Sequence, residues 1–253
     1  MIISIVNQKG GVGKTTTAVN ISSYLAHMGK HVLLVDIDPQ ANATSGLGID
    51  HNNLEFGIYE ALVGMRDIAS VLKRTVQDRL TVAPSTIALA GAGIELVSME
   101  NRETRLLNLL EQVRNDYDYI IIDGPPSLGL LTINSLVAAD QILIPVQSEY
   151  YALEGLGQLL HTINLVQNHL KPTLGILGAV ITMYDKRNRL SQSVMNDLYQ
   201  YFPNKIFRSV IPRSVKLAES PSFGRSILYY DAKSKGARAY EKLAIELIHA
   251  TTK

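Results

Sequence analysis

A glycine-rich segment near the start of the chain carries the residue types that bind a phosphate chain. Successive glycines let the backbone turn so that its N–H groups point inward, and the N-terminus of a following helix adds the positive end of its dipole. A lysine supplies a positive charge for the terminal phosphates, and a hydroxyl after it is a suitable ligand for Mg²⁺. The segment therefore predicts a bound nucleotide with its metal ion, and its residues are Lys9, Gly10, Gly11, Val12, Gly13, Lys14, Thr15 and Thr16.

Within this segment, Lys14 is the lysine expected at the phosphates and Thr15 is the expected metal ligand. A glycine-rich turn without a ligand is the alternative, yet this combination arises by chance at only about 10⁻⁷ per position. The segment differs from the G-x-x-x-x-G-K-[ST] pattern, because Gln8 stands where the first glycine would fall. An additional lysine, Lys9, follows Gln8, and the alternative to a function for Lys9 is a solvated loop lysine.

Three carboxylates at the ends of two predicted strands are candidates for metal binding and hydrolysis. Asp36 and Asp38 lie in the run VDIDPQ, on the same side if the strand continues that far, and Asp123 ends the apolar run YIIID before Gly-Pro-Pro. Ligands of open α/β folds bind at the carboxyl edge of the sheet, where an acid can order the attacking water or hold the metal shell. We expect Asp123 to hold Mg²⁺ through a water. For Asp38, a turn role before Pro39 is the alternative.

The base that the sequence favours is adenine. Guanine recognition usually shows an Asn-Lys-x-Asp motif after a late strand, and residues 182–185 read Thr-Met-Tyr-Asp at that place. We therefore expect ATP, with Mg²⁺, as the bound nucleotide.

The elements that must position these residues form a regular alternation. Short, β-branched-rich apolar runs alternate with amphipathic stretches, as in a parallel sheet covered by helices on both faces. We predict an α/β fold of the single-domain P-loop NTPase type, with a mostly parallel twisted sheet. Helices are predicted from Lys14 to Met28, around residues 106–113 and around residues 240–248, whereas residues 48–78 give no clear pattern. The predicted strands are 2–6, 31–36, 80–83, 119–123, 141–146, 174–182 and 207–211.

The composition excludes several classes of protein. The chain of 253 residues has no cysteine, which excludes disulfides, Cys-ligated zinc or iron–sulfur sites and thiol nucleophiles. We find neither a signal-peptide core nor an apolar run near the roughly 18 residues of a membrane span, and we expect a cytoplasmic protein. The net charge of +1 hides an uneven distribution of charge along the chain, because residues 171–253 contain 14 Lys and Arg against 6 Asp and Glu. A polyanionic partner is therefore compatible with the composition.

Five segments together resemble the ParA/Soj chromosome- and plasmid-partitioning ATPases, which belong to the ParA/MinD class with a deviant Walker A loop. The likeness covers essentially the whole chain, and the early lysine, here Lys9, is a signature of the class. The resemblance is greatest to the short, chromosome-type members, because strand one starts at residue 2. It implies one deviant Walker A ATPase domain over residues 1–253, without an N-terminal helix-turn-helix domain. The segments are residues 7–17, VDIDPQANATSGLG (35–48), YDYIIIDGPPSLGLL (117–131), IPVQSEYYALEG (144–155) and IPRSVKLAESPS (211–222).

The resemblance also implies a mechanism in which ATP controls assembly. In such proteins ATP drives formation of a homodimer, in which the signature lysine, Lys9, reaches the phosphates of the partner's nucleotide. Asp38, the second acid of its motif, is needed for hydrolysis and is expected to position water; with Lys9 and Lys14 it forms the predicted catalytic set. The base packs near the loop that includes Pro212 and Arg213. The dimer binds double-stranded DNA of the nucleoid without sequence preference, and a ParB-type centromere-binding protein stimulates hydrolysis and release.

Basic residues in the C-terminal third are the candidates for DNA contacts. Nonspecific binding of duplex DNA needs lysines and arginines placed against phosphates and little else. The positions that match the family's DNA-contacting residues best are Arg187 and Lys216. A solvated basic surface is the alternative for each candidate, and Arg213 is also a candidate for the nucleotide. The other candidates are Lys186, Arg189, Arg208, Arg225, Lys233, Lys235 and Arg238.

Three other kinds of protein share the deviant loop, and a fourth shares the fold. Iron–sulfur carriers of the Mrp type and nitrogenase-type reductases need cysteines for their clusters, and this chain has none. A MinD-like membrane-associated division-site regulator needs a C-terminal amphipathic helix that is basic on one face; here Lys242 is opposed by Glu241 and Glu246, so we expect no membrane binding. A small-molecule kinase or amide ligase remains as an enzyme alternative, and Lys9 argues against most of these.

Overall fold

The computed structural model describes residues 1–149, 154–188, 194–195, 198–203 and 205–252, and its strands form one eight-stranded sheet. The order of strands β1 to β8 across the sheet is β3-β4-β2-β5-β1-β6-β7-β8 once they are numbered along the chain. Neighbours are parallel except β3 and β4, which are antiparallel. In chain order the strands are Ile2–Ile5, Val32–Asp36, Lys73–Arg74, Leu80–Ala83, Tyr119–Asp123, Gln141–Gln147, Gly175–Tyr184 and Ile206–Pro212.

The predicted mostly parallel sheet is confirmed, with one strand that the sequence pattern did not reveal. Every predicted run forms a strand within two residues of its expected bounds. The additional strand, β3, consists of Lys73 and Arg74 and pairs at the sheet edge. Two charged residues lack the hydrophobic periodicity from which strands are predicted. Short, basic strands of this kind protect a sheet edge against pairing with other chains.

The helices confirm the three predicted positions and divide residues 48–78 into short elements. Helix α1 ends at His27, and Gly29 follows in the left-handed region at φ 87°, with its N–H donating to the Ala26 carbonyl at 3.0 Å. Single 3₁₀ turns lie at His51–Asn53, Leu96–Ser98, Arg114–Asp116 and Ser220–Phe223. Helices α1 to α11 are Lys14–His27, Asn42–Gly46, Ile58–Leu62, Ile68–Val71, Leu89–Glu95, Arg105–Val113, Leu130–Ala138, Glu154–His169, Val215–Glu219, Ile227–Asp231 and Lys235–Thr251.

Helices cover both faces of the sheet, as predicted. Alternate residues of a strand point to opposite faces, so Ile2 packs in one core and Ile3 in the other. The first core contains buried side chains of α3 to α8, and the second contains those of α1, α2 and α9 to α11. Because β1 and β5 are buried on both faces, their carboxyl ends are held rigidly at one edge of the sheet.

Helix α11 buries its apolar stripe against the sheet. Tyr240, Leu243, Ala244 and Leu247 are each at most 1% exposed and belong to the second core. The stripe is therefore not free to enter a membrane surface. Among the residues that the structure describes, no helix is long and apolar enough to span a membrane.

Candidate active site

The glycine-rich segment forms a loop between β1 and α1 at the carboxyl edge of the sheet. Gly11 and Gly13 lie in the left-handed region at φ 72° and 88°, which explains why glycine is needed at these two positions. The loop is held from outside, since the Thr182 hydroxyl donates to the Val12 carbonyl at 2.8 Å. Asn7 accepts a hydrogen bond from the Lys9 N–H at 3.0 Å. The cradle is thus shaped by its own chain before any phosphate binds.

Lys14 projects into this loop and faces two of the predicted carboxylates. Its side chain is buried, and Nζ donates to the Lys9 carbonyl at 3.1 Å. Burial lowers the pKa of Lys14, while the carboxylates of Asp123 and Asp38 act in the opposite direction. An ammonium group held among loop carbonyls and acids is well placed to exchange these partners for phosphate oxygens.

Asp123 ends β5 as a fully buried carboxylate. Neither of its oxygens has a partner with hydrogen-bond geometry in the part of the chain that the structure describes, although the Thr15 hydroxyl is near enough to lower its pKa. Burial, and then the neighbouring Asp36 carboxylate, raise the pKa of Asp123 well above its usual range. A hydrated Mg²⁺ ion would supply donors to both oxygens, and carboxylate and hydroxyl oxygens are its preferred ligands. The residues present therefore fit the expected metal ion.

Asp36 and Asp38 lie at and just beyond the end of β2, near Asp123, and their surroundings differ. The strand ends at Asp36, so Asp38 follows in a turn rather than in a continued strand. Asp36 is fully buried; burial raises its pKa to about 6, although hydrogen bonds from Thr44 and Asp38 lower it. Asp38 is 5% exposed, and its Oδ1 accepts from the Gln40 N–H at 3.0 Å, which is the turn contact considered above.

A small cavity lies next to the phosphate loop. It measures about 220 Å³. Gly13 and Thr16 line one side, and Pro212 and Arg213, which the family resemblance places near the base, line another. Tyr240 closes the cavity from the second core, with its hydroxyl 3.1 Å from that of Thr17. The structure thus brings the phosphate loop and the predicted base loop together.

Lys9 lies on the outer side of the loop, where it contacts only one acid among the described residues. Its Nζ is 3.9 Å from Glu149, and one third of its side chain is exposed. Arg213 also reaches Glu149, at 3.1 Å. Such partly exposed ion pairs contribute little, so Lys9 is free to exchange this partner for another anion.

The basic candidates divide into residues that line one cleft and residues that lie outside it, and Lys216, Arg225 and Lys233 are in the second group. A cavity of about 1130 Å³ at the ends of β7, β8 and α11 is lined by seven basic side chains together with Asp185. Lys216 does not line this cavity; it pairs with Glu219 at 3.1 Å and lies over the Tyr230 ring. Arg189 lies outside the described residues. The basic side chains of the cleft are Lys186, Arg187, Arg208, Arg213, Lys235, Arg238 and Lys242.

Several residues of the site carry no motif of their own. Thr182 supports the phosphate loop, Glu149 contacts both Lys9 and Arg213, and Thr44 bonds to Asp36. Thr182 lies near the carboxyl end of β7, Glu149 lies just beyond β6, and Thr44 lies in the helix that follows β2. Position relative to the predicted strands was the one signal that could have identified them.

Comparison with known proteins agrees with this geometry. Residues 1–176 match the family model described as "AAA domain". The sporulation initiation inhibitor protein Soj of Bacillus subtilis is 56% identical over 246 residues, which cover 97% of each chain. The chromosome partitioning protein ParA of Myxococcus xanthus is 52% identical over 251 residues, which cover 99% of this chain and 89% of that protein.

A solved structure provides the corresponding ligands. The crystal structure of cobyrinic acid a,c-diamide synthase from Mycobacterium smegmatis, with bound ADP and magnesium, matches with a TM-score of 0.87 at 39% identity. The match covers 98% of this chain and 94% of that chain. Adenine nucleotide and magnesium, the ligands predicted from the sequence, are therefore bound by a protein of the same fold that is 39% identical to this chain.

Proposed function

The chain belongs to the Soj/ParA family of chromosome-partitioning ATPases, and we propose that ATP switches it between a free monomer and a DNA-bound homodimer. Its activity is the hydrolysis of ATP with Mg²⁺. The observation that carries the switch is the position of Lys9 on the outer side of the phosphate loop, partly exposed and held by Glu149 alone among the described residues. A lysine in this place can reach a nucleotide held by a second copy.

Within one chain, we assign the chemistry to the residues around the loop. Backbone N–H groups of residues 10–16 and the Lys14 ammonium bind the phosphates. Thr15 would hold Mg²⁺ directly and Asp123 through a water; when bound, the ion neutralises charge on the transferring phosphoryl group. Asp38 orients the attacking water. The pocket beside Pro212 and Arg213 receives the adenine.

Lys9 completes the site of the partner chain in this proposal. A second positive charge at the phosphates stabilises charge that develops during transfer. Because each chain supplies Lys9 to the other, hydrolysis and assembly depend on the same residue.

The basic cleft is assigned to duplex DNA. Seven basic side chains around one cavity provide the charge density that phosphate backbones require, and no base-reading element is needed for nonspecific binding. Arg187, whose side chain is 91% exposed, lies at the rim, and Arg208 and Lys235 line the cleft. Lys216 lies outside the cleft and would contact DNA that extends beyond it. Arg213 lines both the cleft and the base pocket, so the proposed sites for DNA and for adenine are adjacent.

A ParB-type centromere-binding protein is the proposed partner that stimulates hydrolysis and releases the dimer from the nucleoid. The chain would work as one ATPase domain over residues 1–253, which the single sheet and its two cores support.

The proposal is tested by measuring assembly and DNA binding with different nucleotides. Light scattering and binding to random duplex should show a DNA-bound dimer with ATP or a slowly hydrolysed analogue, and a free monomer with ADP. Binding should fall steeply with salt. Equal DNA binding in ADP and ATP would refute the switch, and retention of the dimer on anionic liposomes would favour a membrane function instead.

A further inference from the structure

Thr44, in α2, connects three segments that meet at the active site. Its hydroxyl donates to Asp36 Oδ2 at 2.7 Å, and its backbone N–H donates to the same oxygen at 2.8 Å. The hydroxyl oxygen also accepts from the Ser85 N–H, just beyond β4, at 3.0 Å. Thr44 is fully buried, so these bonds are shielded from competition by water.

The other oxygen of Asp36 extends this connection to Asp38. Asp36 Oδ1 accepts from the Asp38 N–H at 3.2 Å. The Asp38 carbonyl in turn accepts from the Ala41 N–H at 2.9 Å, one residue before α2 begins. These hydrogen bonds therefore close the backbone from Asp36 to Thr44 into a loop, and the Thr44 hydroxyl anchors that loop.

The turn that these bonds close has an unfavourable backbone conformation. Ala41 lies in the left-handed region at φ 53°, where a residue with a Cβ is disfavoured, and α2 has no side-chain cap. A turn of this kind keeps one geometry only when its surroundings hold it. Here the Thr44 and Asp36 contacts hold it.

We propose that Thr44 is a positioning residue for ATP hydrolysis: through Asp36 it fixes the backbone of Asp38, so that the Asp38 carboxylate is aimed at the attacking water. This inference rests on the proposed role of Asp38. It predicts that loss of the Thr44 hydroxyl slows the chemical step without weakening nucleotide binding, because the phosphate loop is held by Asn7 and Thr182 instead.

The test compares Thr44→Val with Thr44→Ser and with a matched control, Thr75→Val. Thr75 also donates through its hydroxyl to backbone carbonyls, those of Gln77 and Leu80, but it lies before β4, at the opposite edge of the sheet. We expect Thr44→Val to lower kcat for ATP at least about tenfold, since two buried groups lose a partner, with KM within about twofold. Thr44→Ser should restore kcat, and Thr75→Val should leave it unchanged.

Two further measurements separate failure of this inference from failure of the proposed function. In an Asp38→Ala background, Thr44→Val should cause no additional loss of kcat, because the residue through which it acts is absent. Normal hydrolysis by Asp38→Ala alone would refute the role that the proposed function gives to Asp38. Slow hydrolysis by Asp38→Ala with normal kcat for Thr44→Val would overturn the inference, and so would parallel losses of kcat and ATP affinity. If the valine variant does not fold, Thr44→Ala removes the hydroxyl without added bulk and is judged by the same criteria.

Discussion

Replacement of Gly10 by valine should separate nucleotide binding from dimer formation. Gly10 is exposed at the outer edge of the phosphate loop, and its φ is outside the left-handed region. A Cβ at this position would have Pro126 Cβ, at 3.9 Å, as its nearest neighbour, which is an ordinary van der Waals contact. The change should therefore alter the free energy of unfolding by about 0.5 kcal/mol or less. The added bulk points outward, where the partner chain is proposed to approach.

Gly13→Val provides the contrasting control within the same loop. Gly13 has φ 88°, and the left-handed conformation costs a residue with a Cβ roughly 1–2 kcal/mol of conformational free energy. Because Gly13 is the N-cap of α1 and lines the base cavity, this strain would displace the groups that contact the nucleotide. A loss of this size corresponds to roughly 5-fold to 30-fold in affinity if it falls entirely on the bound state.

Three measurements distinguish the two variants. Titration with a fluorescent ATP analogue should give Gly10→Val the affinity of the unchanged chain and Gly13→Val a lower one. Light scattering with a slowly hydrolysed analogue should show Gly10→Val as a monomer at concentrations where the unchanged chain dimerises. A thermal melt checks folding. Normal dimerisation of Gly10→Val would show that the outer edge of the loop does not face the partner, and loss of its nucleotide affinity would contradict the steric argument.

Other substitutions probe the remaining assignments. Asp38→Ala should retain ATP binding and accumulate the DNA-bound dimer while hydrolysis falls; an undiminished rate of phosphate release would contradict its role. Arg187→Glu should weaken binding to random duplex and reduce its salt dependence, while ATP-dependent dimerisation measured without DNA stays normal; loss of both would mean that Arg187 serves assembly. Leu243→Ala, which empties part of the second core, should lower the free energy of unfolding by about 2–5 kcal/mol in urea titrations; a smaller change would mean that α11 packs less tightly than its full burial indicates.

The sequence was sufficient for the parts of the site that depend on local rules. Phosphate loops need glycine at left-handed positions, and Gly11 and Gly13 are at such positions. A buried strand before an acid predicts a carboxylate at the sheet edge, which is where Asp36 and Asp123 lie as register partners. Both patterns involve residues that are close together in the chain, so they can be recognised in a single sequence.

What the sequence could not provide depends on contacts between distant segments. Thr44 and Ser85 are 41 residues apart, and no pattern in the sequence around either of them predicts the hydrogen bond between them. The basic cleft is assembled from β7, β8 and α11, so composition indicated its charge but not its separation from Lys216. β3 was missed because its two residues form a strand only against β4.

The central place of β1 in the sheet has a consequence for biosynthesis. β1 pairs only with β5 and β6 among the described strands, and about 120 residues separate Ile5 from its register partner Asp123. At synthesis rates of about 5–20 residues per second, β5, which is the first of the two neighbours to be made, is complete roughly 6–24 s after β1. During that time the apolar segment Ile2–Ile5 lacks the two strands that flank it in the folded chain. We therefore expect a nascent chain that stops before residue 119 not to bind ATP, although its phosphate-loop sequence is already complete.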